Sequence, residues 1–496
     1  MPVDPRTPVL IGYGQVNQRE EMPTRENTLE PVDLMAAAAR QAADARVLRA
    51  VDNVWVVNLF SAQYRDPGRL LGQRIGADNP ATRYSSLGGN VPQSLVSAAC
   101  LDIWHGRAGV VLLAGGETWH TRTRLRANGG RLGWTHQDES VPLAEPIGAD
   151  VPLAGEAEER IRLDRPAYVY PLFEQALRIA GGESIPDHRR RIGELWARFN
   201  AVAVGNPHAW IRESVSAEEI WQVGPKNRMI SWPYTKLLNS NNMVDQAASL
   251  VLTSVGTATD LGVPTERWVY PQAGTDAHDT YAVAERAELF GSPAIRIGGA
   301  RALELAGIDE IAAMDYVDLY SCFPSAVQVA AAELGLPTDD PDRPLTVTGG
   351  LTFAGGPWNN YVMHSIATLA ELLVAHPGRR GLISANGGYL TKHSFGVYGT
   401  EPPRSGFRWE DVQPIVDREP TRPAAVRWCG CGSVESWTTP FDRDGRPEKV
   451  FVAVRTPDGS RTLALITDPG VAESSVREDI AGATVEVQAD GTATLR

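Results

Sequence analysis

Cysteine is scarce. Four residues in 496 (Cys100, Cys322, Cys429 and Cys431) are too few and too scattered for a secreted disulfide framework. No Cys-x-x-Cys pair is present to seed a zinc ribbon. This usage predicts a reducing, cytoplasmic compartment and no structural metal. Positive charge is also short: 47 Lys and Arg against 60 Asp and Glu leave a formal net charge of −13. Nucleic acid and anionic membrane surfaces need clustered basic residues, so neither is an expected partner. No run approaches the roughly 20 apolar residues of a membrane span. The N-terminal MPVDPRTPVLIGYG carries an acid and prolines where a signal peptide needs a basic end and an apolar stretch. There is no GxSxG elbow, GxxxxGK loop or HExxH helix. In GYGQVN the third glycine of a dinucleotide fingerprint is missing, Asn17 standing in its place.

What is present is a chain 43% hydrophobic and 22% charged, typical of a folded protein. Its length predicts roughly two to four domains. Two stretches share one grammar. In the first, an Ala-rich helix from Pro31 to Leu48 leads into a strand around Val54, Val56 and Val57. In the second, a helix over Ala300–Gly307 leads into a strand around Val317 and Leu319. Each strand is followed by a helix opening with proline (Pro92, Pro324) and closing at glycine (Gly106, Gly335). Apolar strands then follow, VVLLAGGE from Val110 and GLISANGG from Gly381. The repeat predicts two related α/β halves. Val9–Ile11 reads as a short strand ending in a turn, and Thr118–Asn239 as a loop-rich insertion. Beyond Glu401, proline-rich EPPRSG and REPTRP read as a linker to a separate small β barrel.

These motifs, in this order, resemble the thiolase superfamily, in particular the branch of the sterol-carrier-protein x thiolase. GGNVPQSLVSAACLDIWHGRAGVVLLAGGE is similar to the segment carrying the nucleophilic cysteine and its helix, and NSNNMVDQAASLVLTS to the start of the second half. DLYSCFPSA is similar to the HDCF block, TGGLTFAGGP to the GHP block and SANGG to the CxGG block. The resemblance spans residues 6 to 400. It implies an α/β duplicated thiolase fold, a five-layered αβαβα sandwich with a loop domain. The expected limits are residues 1–240 for the first half with its loop domain at about 118–239, 241–405 for the second, and 406–496 for an OB-like β domain.

The resemblance also exposes what has been replaced. A thiolase cysteine at a helix N-terminus takes the acyl group from coenzyme A; that position falls at Val91, or at Asn90 with a one-residue shift. The activating histidine of the GHP block becomes Gly356, the second cysteine Ala385 or Ser384, and the HDCF histidine or asparagine Tyr320. The implied activity is that of an acetyl-CoA acyltransferase, yet its Cys/His/Cys set is gone. Residues able to refill the pocket are Tyr320, Cys322, His364 and His393, with His278 of GTDAHDTY beside Asp276 and Asp279. Each has a structural reading too: Cys322 a packed core thiol, His364 a structural histidine, GTDAHDTY a solvated loop. Gly355, Gly356, Asn386 and Gly387 are candidates for close approach of a thioester. Coenzyme A or an acyl-CoA is the expected ligand, with no other cofactor. Asn206-Pro207-His208 resembles a loop-domain segment near that ligand. Three functions stay open: an acyl-CoA-handling protein without ordinary thiolase turnover, a lipid-metabolism enzyme of rebuilt thioester or carbon–carbon chemistry, and a scaffold whose tail docks a protein partner. The oligomeric state stays open between monomer and homodimer.

Overall fold

Val110–Thr118 is buried at every position, as a strand covered on both faces requires. It lies in a six-stranded sheet ordered Pro8–Asn17, Asp245–Ser254, Val110–Thr118, Asn53–Val56, Ala81–Ser85, Glu145–Ile147. The first two pairings are antiparallel and the rest parallel. A second sheet runs Tyr316–Asp318, Arg380–Gly387, Lys392–Gly399, Tyr270–His278, Arg408–Asp411. Read from Tyr270–His278 through Lys392–Gly399 and Arg380–Gly387 to Tyr316–Asp318, it repeats the antiparallel, antiparallel, parallel order of the first. The duplication expected from sequence is therefore built into the topology. The computed structural model describes residues 3–24 and 26–496; Met1 and Pro2 of the N-terminal segment, and Arg25, lie outside the described residues.

Two helices, Val91–Trp104 and Tyr361–Ala375, lie between the sheets and touch strands of both. Pro31–Ala42 covers the outer face of the first sheet and Pro293–Leu305 that of the second, which completes five layers. The helix ends follow the expected chemistry: Gly106 (φ +69°) and Gly335 (φ +73°) adopt the left-handed conformation past the last turn. Among the described residues no helix is long and apolar enough to cross a membrane.

The structure corrects several expectations. The first strand runs from Pro8 to Asn17, because Gly12 and Gly14 make no turn; they seat the helix Pro31–Ala42, and a Cβ at Gly12 would come within 2.6 Å of the Ala42 carbonyl oxygen. The helix read to Leu48 breaks at Asp44, whose carboxylate caps Ala45–Arg49 by accepting from the Arg46 and Val47 amides. Asp245–Ser254, read as opening the second half, belongs to the first sheet, so the limit at 240/241 cuts that sheet. Likewise Arg408–Asp411 pairs with Tyr270–His278, across the limit at 405/406. The insertion is helical in its second part, with Pro166–Ala180 and Ile185–Gly205 its longest elements, while 128–155 is loop apart from the short strand Glu145–Ile147. Its arginines and tryptophans, which suggest loops, stack on one another instead: Arg189 lies 5.1 Å from the Trp221 ring and 4.6 Å from Trp232.

The tail forms a sheet ordered Arg461–Ile466, Val450–Arg455, Gly430–Pro440, Thr484–Val487, Ala493–Leu495. Its ends approach through a bridge between Leu465 and Thr492, with the Leu465 amide donating to Gly491 at 2.8 Å. It is not set apart as expected. Gly430–Pro440 pairs with Met229–Trp232 of the insertion, and Phe451, Ala453 and Leu463 join the main core.

Seating a helix on glycines is unforgiving. Gly14→Val forces a side chain into the Ala38 carbonyl. It is expected to lower stability by about 1–3 kcal/mol, seen as a reduced urea midpoint at unchanged slope.

Candidate functional site

The helix Val91–Trp104 begins at Asn90, whose side chain makes no cap hydrogen bond and whose Oδ1 is buried without a partner among the described residues. Around this end the resembling blocks converge. Asn359, from the turn after GGP, accepts from the Gly88 amide at 3.0 Å. A Cβ on Gly89 would strike both the Tyr320 hydroxyl and the Asn386 carbonyl, and one on Gly387 would lie 2.5 Å from Asn90 Oδ1. The Lys392 ammonium donates to the Leu87 carbonyl, and burial lowers its pKa. Thus Tyr320, Asn386 and Gly387 do meet at the helix N-terminus.

A small cavity lies beside this cluster. Tyr320, Ser384, Ala385, Asn386 and His393, with Ile295 and Phe395, enclose a cavity of about 10 Å³. One water needs about that much, so this cavity admits no thioester. The glycines read as ligand-approach points face the protein's own amides: the Gln246 side chain occupies the place of a Cβ on Gly355, and Asn242 Oδ1 would lie 2.9 Å from one on Gly356.

The candidate acid–base groups are dispersed. Cys322 sits beside Tyr320, but its thiol is buried against Asn386 (Nδ2 to Sγ 3.9 Å), and burial pushes it up to about 12. His393 points its Nε2 to the Leu390 carbonyl at 3.2 Å and lies 3.5 Å from Asp279. His364 meets Gln15 of the first strand at 2.9 Å instead. Burial, with the charge of His208 adding, pushes it down to about 3 and keeps the imidazole neutral. His278 lines a different, larger cavity, stacked on Tyr281 at 4.4 Å. GTDAHDTY is no solvated loop: its first part continues Tyr270–His278, and Asp279 is buried, accepting from Ser292 Oγ (2.5 Å), the Ala294 amide (3.1 Å) and Arg286 (3.2 Å). Burial opposes ionisation of Asp279, but Arg286 and the hydrogen bonds prevail and hold it down to about 2. His208 is 3.4 Å from Glu371, and its carbonyl accepts from Asn17. No group of three or more metal-ligating side chains occurs among the described residues.

Tyr170 escaped the sequence reading. Its hydroxyl accepts from Asn386 Nδ2 (3.0 Å) and the Leu390 amide (2.9 Å), donates to the Gly388 carbonyl (3.1 Å), and its ring stacks on Phe323 at 4.4 Å. It comes from an insertion helix, where no local motif announces it. Asn359 was equally hidden, since an asparagine after GGP carries no signature.

Two predictions follow from this burial. With iodoacetamide, Cys429 and Cys431, both exposed, are alkylated in the native protein, whereas Cys100 and Cys322 react only after unfolding; peptide mass mapping reads this. The His364 pKa lies below its unfolded value of about 6.5. The stability it contributes is therefore complete above that pH and is lost as pH falls toward 3. Between pH 7 and pH 5 the loss amounts to ~2 kcal/mol, so the stability difference between wild type and His364→Gln narrows by that amount in urea titrations at the two pH values.

A family model for the additional C-terminal domain of thiolase-like protein type 1 matches residues 411–492. The chain is 33% identical to the monomeric SCP2-thiolase-like protein type 1 of Mycobacterium smegmatis, with a TM-score of 0.84 and 100% of both chains covered. The Ltp2-ChsH2(DUF35) aldolase is 19% identical, with a TM-score of 0.59 over 80% of this chain and 98% of that one. Human mitochondrial 3-ketoacyl-CoA thiolase is 16% identical, with a TM-score of 0.57 over 80% and 99%. These last two share the fold. No curated protein matches the chain. Resemblance across the whole length, fold and tail together, decides the family: the chain belongs to the SCP2-thiolase-like proteins of type 1.

Proposed function

We propose that this protein handles coenzyme A or an acyl-CoA without thiolase turnover. The observation that carries the reading is the replaced set: by the resemblance, Val91 or Asn90, Gly356, and Ala385 or Ser384 stand at the reactive positions, and the cavity lined by Ala385 and Ser384 measures about 10 Å³. A nucleophile must be activated and its target held within reach; here the nearest thiol, Cys322, stays protonated at neutral pH. The ligand class is supported by the fold shared with a 3-ketoacyl-CoA thiolase. The insertion, which closes over the centre through Tyr170, is the natural place for such a ligand to be recognised.

The same reading includes a monomer in the cytoplasm. The strand Ala81–Ser85 is paired on its outer side over Arg83–Ser85 by the chain's own Glu145–Ile147, which takes up that part of the ladder a second copy would use. The M. smegmatis relative is described as monomeric. The four cysteines are all free thiols, consistent with a reducing compartment.

Acetoacetyl-CoA thiolysis, followed by loss of enolate absorbance, is expected to stay at the buffer rate, and light scattering to give the mass of one chain. Thiolysis at an enzymatic rate that is abolished by Cys322→Ala contradicts the proposal.

A further inference from the structure

A second, larger cavity lies away from the helix N-terminus. It measures about 720 Å³ and lies where the end of the strand Tyr270–His278, the loop 285–293, the last turn of the helix Pro324–Leu334 and the segment 413–421 meet. Its size is that of a drug-sized ligand site. Tyr281, Phe290, Pro293, Ala332, Val416 and Pro420 give it apolar walls. Phe290 is 39% exposed, and an open aromatic face beside a cavity favours contact with an apolar molecule.

The polar part of the lining narrows the chemistry. Arg286 is 3% exposed. Its Nη1 donates to the Leu390 carbonyl (2.8 Å), and its Nη2 to Gly291 (2.7 Å) and Asp279 (3.2 Å). Its Nε is buried without a hydrogen-bond partner among the described residues. Through Nη1 and Nη2 the guanidinium is thus committed to the protein's own acceptors, so it offers no free cation to an anionic ligand. Of the carboxylates around the cavity, Glu288 is paired by Arg422 and Arg455, and Glu333 and Glu419 by Arg296. Glu285 and Asp417 have no ion-pair partner among the described residues, so a polyphosphate meets repulsion there.

We propose that this cavity is a second binding site, for an uncharged, mainly apolar molecule. It is distinct from any coenzyme A site, because the apolar walls and unpaired carboxylates oppose a polyanion. Asp279 borders both regions: it pairs with Arg286 in this cavity and lies 3.5 Å from His393, which lines the small cavity beside Tyr320.

Nile red, a neutral polycyclic dye, tests this on the full chain. Saturable one-to-one binding with blue-shifted emission is expected, undisturbed by coenzyme A. Ala332→Trp, at an exposed position on the last helical turn, fills the cavity and is expected to weaken binding by about tenfold or more. Phe290→Ala, also at an exposed site, removes one wall and weakens it through a second, independent change. Non-saturable binding, displacement of the dye by coenzyme A, or wild-type affinity in both variants overturns the proposal. None of these outcomes depends on whether thiolysis is absent.

Discussion

The helix Val91–Trp104 is clamped between two sheets, and the position of its N-terminus under that clamp sets everything else in the site. Leu95, Val96, Ala99, Cys100 and Ile103 are buried along its length. Toward the second sheet, Gln93 and Ser97 reach surfaces cleared by Gly396 and Gly274, and Gln93 is fixed by the Tyr398 hydroxyl at 2.6 Å. A helix held on both sides can neither slide nor tilt without opening the core. Its N-terminal amides, a ready site for an anion or a lowered thiolate pKa, are delivered to one place, where Asn359, Tyr320, Asn386 and Lys392 surround them.

Scaffold and chemistry obey different constraints in this chain. The central helices and both sheets are maintained by burial, which accepts any well-packed apolar residue. The reactive set depends on a few side chains, and the residues that the resemblance puts in their place each do something structural. Ser384 accepts from the Tyr320 amide at 2.9 Å, Ala385 packs in the core, and the space at Gly355 and Gly356 is taken by Gln246 and Asn242. Tyr170, bonded to Asn386 and the 388–390 turn, ties the insertion across the same region. This region is thus stitched together by amides and hydroxyls.

Much of the fold was legible because it rests on local signals. Prolines at helix starts, glycines past helix ends and all-apolar strands located the helices Val91–Trp104 and Pro324–Leu334 and the strands from Val110 and Gly381; the second central helix, Tyr361–Ala375, has neither signal, being flanked by Asn360 and His376. Errors arose where tertiary contact decides. Gly12 and Gly14 look like a turn until the helix Pro31–Ala42 is laid on them. Asp245–Ser254 looks like the start of a unit, yet its pairing with Pro8–Asn17 joins residues more than 200 positions apart. Arginine- and tryptophan-rich helices of the insertion resemble loops because their stacking partners are remote. Of the site, the blocks and their substitutions could be read, and Tyr320, Asn386 and Gly387 do come together. The separation of His364 and His278 from them could not be read, since facing Gln15 or Tyr281 is a matter of packing, and neither could Tyr170.

The central claim is the proposed one, that the thiolase fold is kept here without thiolase turnover. Intact-mass analysis after incubation with acetyl-CoA, alongside calorimetric titration with coenzyme A, tests it most directly. The account predicts an unchanged protein mass, with no acyl group on Cys322 or any residue around the helix N-terminus, whether or not the titration shows binding. A stoichiometric acetyl adduct that maps to Cys322 and is released by added coenzyme A contradicts it.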